Sequence, residues 1–342
     1  MSIAEHIQAE FTKPANLDEE LSKLIDASKL DLSQNIPDPQ MLVSKEDLPV
    51  CTRGNFSFVI GLPGARKSFL CTGIAGAFLN EDGCMGLDNP NGTGTLLWID
   101  TEQAAGHVAK IGRRLHRIAG LPTNENSNRI HIHLLREFAP EVRRQIFLGC
   151  VDLYRPDFIV LDGVSDLISD PNNAEQASSI MTDLMRLTKE YDCHLLTVIH
   201  ANVGSEKARG HLGSEALRKC ETAILVKADS EVSVCKWAKT RDRQPEEFAF
   251  SIAEGLPVVA EWKGKAEKTD VLAQCVKEVM PEYPNTINYS SLVEAITQKA
   301  GIKPRAAKDR ITNATSKGLI MKNEAGMYHL PQESINEEQL LF

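Results

Sequence analysis

Apolar residues in the middle of the chain recur in short, almost continuous runs, separated by longer stretches with helical spacing. Such runs are typical of strands that are buried on both faces of a parallel sheet and connected by helices. Strands are predicted at residues 56–61, 95–100, 130–135, 157–163, 194–201, 222–228 and 233–239. The last two are close together and predict an antiparallel hairpin. The pattern predicts an α/β domain over residues 51–265 with a mainly parallel sheet.

The pattern changes on both sides of this domain. Residues 1–50 are mostly polar, with one amphipathic stretch, LDEELSKLIDASKL, and a proline-containing linker, and they predict an N-terminal arm. Residues 268–330 predict three helices, in TDVLAQCVKEVM, in SLVEAITQKAG after a cap at Ser290 or Ser291, and in PRAAKDRITNATSKG, followed by a short hairpin. This order is typical of a small winged helix-turn-helix domain. A disordered tail is expected over residues 331–342.

The distribution of charge along the chain suggests a function for the C-terminal domain. The net charge of the chain is −9, which by itself argues against nucleic acid as a partner. Residues 299–322, however, hold seven basic residues and one acidic residue. Helical spacing places Arg305 and Lys308 on a different face from the apolar positions, as in a recognition helix. DNA contacts are predicted at Lys303, Arg305, Lys308 and Lys322; a protein-binding domain with a solvated basic face is the alternative.

Cysteine usage and hydropathy bear on the compartment. None of the eight cysteines forms a C-x-x-C pair or has zinc-site spacing, so reduced thiols are expected. No run of about 18 apolar residues occurs, and the first residues lack the apolar core of a signal peptide. A cytoplasmic protein with no membrane partner is expected.

The stretch GLPGARKSFL, residues 61–70, lies between a predicted strand and a predicted helix. It matches the phosphate-binding pattern G-x-x-x-x-G-K-[ST], except that Arg66 replaces the second glycine. Lys67 would neutralise phosphate oxygens and Ser68 would hold Mg²⁺. The predicted nucleotide-binding residues are Gly61, Pro63, Gly64, Ala65, Arg66, Lys67, Ser68 and Phe69.

Arg66 is the departure from this pattern. If the position needs a positive φ, a residue other than glycine is disfavoured there by about 1–2 kcal/mol. Arginine could also add a phosphate contact. The sequence therefore predicts a modified but working nucleotide site.

Polar residues follow several of the predicted strands. Asp100 and Glu102 follow TLLWID, Asp162 ends the run DFIVLD, and His200 ends HLLTVIH. Ligands of doubly wound sheets bind at the carboxyl ends of the strands. These side chains are therefore expected at one edge of the sheet, beside the phosphate-binding loop.

The motifs GLPGARKS, WIDTEQA, IVLDGVSDL, TVIHAN and KWAKTRDRQP occur in this order. Residues 50–262 thereby resemble RecA-like P-loop ATPases, and among them the hexameric RepA-type replicative helicases of plasmids and mobile elements. The resemblance implies that Glu102 is the general base, that Asp162 is the Walker B ligand of Mg²⁺, and that His200 senses the γ-phosphate. It also implies that Lys239 and Arg241 reach the site of a neighbouring subunit.

The resemblance further implies ATP and Mg²⁺ as cofactors, DNA-stimulated ATP hydrolysis, DNA as partner and a hexameric ring. Single-stranded DNA would contact the segments 165–176 and 201–215, with Lys207 and Arg209 in the second; solvated loops are the alternative. Other readings of the chain are an ATP-switched DNA-binding regulator or loader without unwinding activity, a small-molecule kinase, and a catalytically silent relative.

Overall fold

The structure of the protein, a computed structural model, describes residues 19–202, 208–262, 278–280, 285–316 and 318–331. The chain divides into two compact units, with the boundary between Val259 and Ala260. None of the helices in the described part of the chain has the length and apolar character needed to cross a bilayer.

Strands and helices alternate in the first unit. Its described strands are β1 (Met41–Lys45), β2 (Leu48–Thr52), β3 (Phe56–Gly61), β4 (Leu96–Asp100), β5 (Ile130–Leu134), β6 (Phe158–Asp162), β7 (His194–His200), β8 (Ala223–Asp229), β9 (Val232–Lys239), β10 (Phe248–Ala253) and β11 (Leu256–Val259). Its described helices are α1 (Glu19–Ser28), α2 (Lys67–Leu79), α3 (Ala105–Ile118), α4 (Pro140–Tyr154), α5 (Ala174–Glu190) and α6 (Gly210–Lys219). A short 3₁₀ helix covers Val164–Leu167.

Among the described residues, one sheet joins nine strands in the order β11-β10-β9-β8-β3-β7-β6-β4-β5. The strands from β8 to β5 are parallel, and β9, β10 and β11 extend the sheet in antiparallel fashion. The predicted α/β class, the mainly parallel sheet and the late hairpin are confirmed. The sequence pattern did not predict β10 and β11, because their short half-exposed runs lie at the end of the sheet and lack the continuous apolar character of the central strands.

A hairpin of β1 and β2 falls inside the residues predicted to form an arm and a linker. Leu42, Val43 and Val50 are almost fully buried and belong to the same apolar cluster as helix α2. The polar interpretation of residues 1–50 is therefore wrong from Met41 onward. Each strand is only five residues long, too short to stand out from the polar residues around it.

Apolar side chains fill both faces of the parallel sheet. One cluster packs α2 against the sheet around Trp98, Phe158 and Phe78. The other packs α5 and α6 against the opposite face, around Phe58 and Phe147. Strands buried on both faces explain why the sequence shows continuous apolar runs rather than alternation.

The second unit has its own core. Its described elements are α7 (Tyr289–Ala300), α8 (Pro304–Ser316), β12 (Met321–Lys322) and β13 (Tyr328–His329). Ala307, Ile311 and Ala314 of α8 are buried in this core, as their spacing predicts. The cap of α7 is Asn288, whose side chain accepts a hydrogen bond from the Ser291 amide, so the predicted serine cap is wrong.

Gly318, at the predicted end of α8, has a φ of 69° and turns the chain toward β12. The predicted first helix of this domain lies largely outside the described residues, as does the predicted tail. The winged-helix assignment therefore stays a prediction.

Candidate nucleotide-binding site

The strand register brings the predicted strand-end residues together. Asp100 of β4 pairs with Asp162 of β6, and Gly61 of β3 pairs with His200 of β7. Because β3, β7, β6 and β4 are consecutive in the sheet, all four residues lie at one edge. This edge is where ligands bind in open parallel sheets.

The loop between β3 and α2 has the backbone of a phosphate cradle. Gly64 has a φ of 78°, and Arg66 has a φ of 66° and a ψ of 33°, so Arg66 occupies the left-handed region. A Cβ at Gly61 would lie 2.8 Å from the backbone oxygen of Val226, so the strand end admits only glycine. Helix α2 begins at Lys67, and the first N–H groups of a helix have no partner within it. These groups and the helix dipole favour an anion at this position.

Ser68 and Asp162 form the centre of the site. The Ser68 hydroxyl donates a hydrogen bond of 2.7 Å to Asp162 Oδ2. Burial raises the pKa of Asp162 to about 6, with the hydrogen bond from Ser68 acting in the opposite direction. A cation beside the carboxylate would reverse this effect of burial.

This oxygen pair fits Mg²⁺. Magnesium in phosphate sites is held by one or two protein oxygens together with water and substrate phosphates, not by a protein cage. The described residues contain no cluster of three or more His, Cys, Asp or Glu side chains that could hold a metal. Mg²⁺ bound between Ser68, Asp162 and phosphate would offset phosphate charge.

His200 connects the lysine of the loop to the predicted general base. Its Nδ1 lies 3.3 Å from Lys67 Nζ, and its Nε2 lies 3.3 Å from Glu102 Oε1. Lysine can only donate, so Nδ1 accepts and Nε2 carries the proton that it donates to the carboxylate. This hydrogen bond lowers the pKa of Glu102, which keeps the carboxylate ionised, as a group that orients an attacking water requires.

Asp100 differs from Glu102 in its burial and in its hydrogen-bond partners. It is fully buried and accepts hydrogen bonds from the backbone amides of Glu102 and Gln103, and from the Gln103 side chain. Burial raises the pKa of Asp100. These bonds fix the turn after β4 and so position Glu102, which remains about half exposed at the site.

Sequence reasoning missed Thr101 and Asp166. Thr101 donates to Asp166 Oδ2 at 2.6 Å and accepts from the Gly163 amide at 2.9 Å, so it connects the end of β4 to the turn after Asp162. Burial raises the pKa of Asp166. The sequence WIDTEQA gives little indication of this role for Thr101, because a threonine between two acidic residues is equally typical of a solvated turn.

The Arg66 side chain is directed toward the β8–β9 turn. Its guanidinium donates to the turn between β8 and β9 rather than extending toward the phosphate cradle. The guanidinium is thus bound to protein oxygens, the suggested phosphate contact stays a prediction, and the positive φ considered for this position is observed.

Phe69, a predicted nucleotide-binding residue, follows Ser68 on the first turn of α2. The Arg114 guanidinium lies 3.8 Å from the centre of its ring. Arg114 also donates to the Gly255 carbonyl. This stacking ties α3 and the β10–β11 turn to the start of α2.

Lys239 and Arg241 lie near the amino end of β8, whereas the phosphate loop follows the carboxyl end of the parallel strand β3. Lys239 pairs with Ala223, the first residue of β8, and β8 runs parallel to β3. Lys239 donates to the carbonyls of Leu217 and Arg218, and Arg241 to that of Lys219. Both cations thus cap the C-terminus of α6 and stay away from the loop of their own chain.

Of the predicted DNA-contact residues in the first unit, Lys207 lies outside the described residues and Arg209 is exposed. The segment 201–215 is not a loop throughout, because α6 begins at Gly210. Gly213 serves packing, since a Cβ there would lie 2.6 Å from Ala208. The segment 165–176 contains three acidic and no basic residues.

In the second unit, the predicted basic residues are all at the surface. Lys303, Arg305, Lys308 and Lys322 are exposed. Within the part of the chain that the structure describes, no ion pair joins Lys303, Arg305 or Lys308 to a carboxylate. Lys322 lies 5.8 Å from the ring centre of Tyr328.

Comparison with known proteins agrees with this geometry. A family model described as an AAA domain matches residues 18–206, more than half of the chain. The matched range contains the phosphate loop, the Ser68–Asp162 pair and the Lys67–His200–Glu102 contacts. No curated protein matches the chain. The chain belongs to the AAA domain family of P-loop ATPases.

Proposed function

We propose that this ATPase is a DNA motor, a hexameric helicase that serves replication of a plasmid or mobile element. The observation that carries the proposal is the chain of contacts from Lys67 through His200 to Glu102. A γ-phosphate at Lys67 would meet the His200 ring, and His200 holds the carboxylate that orients the attacking water. Phosphate occupancy and the position of the base are therefore linked, as a motor requires.

The chemistry follows from positioned charge. Lys67 would stabilise charge on the phosphate oxygens and Glu102 would orient water, while Ser68 and Asp162 would hold a cation that supplies further positive charge. Release of the phosphate would free Lys67 and His200 to contact each other again. Each turnover would thus move the His200 side chain, at the end of β7.

Support for DNA as the partner comes from the exposed basic residues. His200 precedes the segment that leads to Arg209, and the Arg209 amide donates to the His200 carbonyl at 2.9 Å. In the second unit, Arg305 and Lys308 lie on the exposed face of α8. Cations exposed in this way can each neutralise a phosphate.

Support for a ring comes from the geometry of Arg241. Arg241 follows β9 at the end of the sheet opposite the phosphate-binding loop, so it does not serve as an arginine finger for the loop of its own chain. A head-to-tail arrangement would bring this edge to the site of a neighbour and can close into a ring. ATP hydrolysis would then depend on assembly.

The experiment is strand displacement on a forked duplex, together with ATP hydrolysis measured with and without single-stranded DNA. The proposal expects stimulated hydrolysis and unwinding that Glu102→Gln abolishes. Hydrolysis with DNA binding but without unwinding would replace it by the ATP-switched regulator or loader. Hydrolysis that neither requires nor responds to DNA would refute both.

A further inference from the structure

Arg66 occupies the position that the phosphate-binding pattern reserves for glycine. Its backbone is left-handed, which glycine adopts freely and arginine does not. A strained residue persists where its surroundings hold it in place. The surroundings of Arg66 are therefore informative.

The Arg66 guanidinium makes three hydrogen bonds to the β8–β9 hairpin. One terminal nitrogen donates to the Glu231 carbonyl at 3.1 Å and to Ser233 Oγ at 3.2 Å, and the other donates to the Ser230 carbonyl at 3.1 Å. A guanidinium presents its donors in a fixed fork, so these bonds define the direction of the whole side chain.

The acceptors belong to a tight turn. Asp229 pairs with Val232, so Ser230 and Glu231 alone connect β8 to β9, and Ser230 has a φ of 56°. Ser233 is fully buried within β9. The turn is thus built into the sheet and gives the loop a fixed support at the same edge as the phosphate cradle.

We propose that Arg66 is a positioning residue that clamps the phosphate-binding loop to the β8–β9 turn and thereby sets the affinity for a nucleoside di- or triphosphate. Glycine at this position would relax the backbone but release the loop. A released loop must be ordered when the nucleotide binds, and this ordering weakens binding. The inference rests on nucleotide binding by the loop and does not depend on DNA or on a ring.

The clamp also has a reciprocal consequence. If the turn supports the nucleotide-bound loop, the bound nucleotide must equally stabilise the turn. Amide hydrogens at residues 229–233 should therefore exchange more slowly when nucleotide is bound. A side chain that only supports folding would not produce this effect.

The test measures binding of fluorescent MgADP, the kcat and KM of ATP hydrolysis, and amide exchange, in full-length Arg66→Gly, Arg66→Lys and Ser233→Ala. We expect Arg66→Gly to raise Kd and KM about tenfold and to leave kcat within about twofold, because no group that acts on phosphate or water is removed. Arg66→Lys should not restore affinity, since one ammonium cannot reach all three acceptors. Ser233→Ala should weaken binding about two- to threefold, although it lies outside the loop.

Two controls separate the possible failures. Arg155→Gly removes another arginine with positive φ, at the end of α4, and should leave affinity unchanged. Lys67→Ala tests the nucleotide site itself, and normal binding by this variant would refute that site. If Lys67→Ala loses binding while Arg66→Gly and Ser233→Ala bind as wild type does, the clamp alone is refuted. Full rescue of affinity by Arg66→Lys would also overturn the clamp, because the role of Arg66 would then be to supply charge to the phosphate. The clamp would equally be overturned if Arg66→Gly kept both its nucleotide affinity and the slow amide exchange of the turn.

Discussion

Basic side chains in the two units of this protein are held in contrasting ways. In the first unit, those with predicted roles in nucleotide binding or hydrolysis are bound to oxygen or nitrogen atoms of the same chain: Lys67, Arg66, Lys239 and Arg241. In the second unit, Arg305 and Lys308 extend from α8 into solvent. The first group has defined directions, and the second does not.

The contrast teaches what each group can do. Catalysis of phosphoryl transfer depends on charges that are fixed before the reaction, so bound and oriented cations suit it. Binding to a polyanion depends on the number of charges that can reach phosphates, and mobile side chains suffice. Substitutions should therefore change nucleotide binding or turnover in the first unit and salt dependence in the second.

The largest effect is expected at Arg241, if it completes the site of a neighbouring subunit. Arg241→Ala should bind ATP normally and hydrolyse it about 10³-fold more slowly, the scale of a missing arginine finger. Arg243→Ala, two residues further along, is the matched control. ATP hydrolysis by each protein is the measurement.

Mixing Arg241→Ala with inactive Lys67→Ala should restore partial hydrolysis, because some intact loops then meet intact arginines. If the two variants demonstrably assemble together but ATP hydrolysis does not recover, the role of Arg241 is only the observed one, the capping of α6. Loss of stability alone, with normal turnover per folded molecule, would lead to the same conclusion.

The next effect is expected at Glu102. Glu102→Gln should keep ATP bound but slow turnover about 10²-fold or more, because the amide cannot accept a proton from the oriented water. Glu125→Gln, on the loop after α3, provides an isosteric control. Equilibrium binding and single-turnover hydrolysis distinguish the two steps; unchanged turnover in Glu102→Gln would assign the base to another acid.

A third effect, on stability, is expected at Asp162. Burial raises its pKa to about 6 from the ordinary value of 3.8, so the folded state favours the protonated form. This contribution to stability is fully present below pH 3.8 and is lost as pH rises through about 6. Asp162→Asn should therefore raise the free energy of unfolding at pH 8 by up to about 3 kcal/mol, even though it should abolish Mg²⁺-dependent hydrolysis.

Denaturant unfolding of both proteins at pH 8 and pH 4, without metal or nucleotide, measures this effect. The difference between the two proteins should shrink at the lower pH. A difference that does not change with pH would mean that Asp162 is not the group held in its protonated form.

The smallest effect is expected on α8. Arg305→Ala combined with Lys308→Ala should reduce the slope of log affinity for DNA against log salt by about two, one for each phosphate contact, and leave hydrolysis without DNA unchanged. Lys299→Ala is the matched control, because Lys299 pairs with Glu278 at 3.0 Å. An equal slope in the double variant and the control would favour a protein as the partner of this face.

Much of the fold was predictable because its signals are local. The central strands are buried on both faces and give continuous apolar runs, and the loop after β3 carries its motif in ten residues. The spacing of Ala307, Ile311 and Ala314 likewise predicted the buried face of α8. The strands β1, β2, β10 and β11 were missed because short, partly exposed strands have no such local signal.

The sequence by itself determined the chemical groups of the site: the loop with its lysine and serine, and the acids and histidine that end buried strands. Only the tertiary structure decided how these groups are arranged. Asp100 and Glu102 are separated by one residue, yet the first turns inward to accept backbone amides and the second faces His200.

Arg66 makes the same point most clearly. Its identity and its departure from the glycine pattern could be read directly, but its partners lie more than 160 positions away along the chain, on the β8–β9 turn. Contacts between distant segments depend on strand order and register, which no local pattern of residues encodes. Local sequence therefore fixed which groups the protein brings to phosphate, and long-range packing fixed which of them face it.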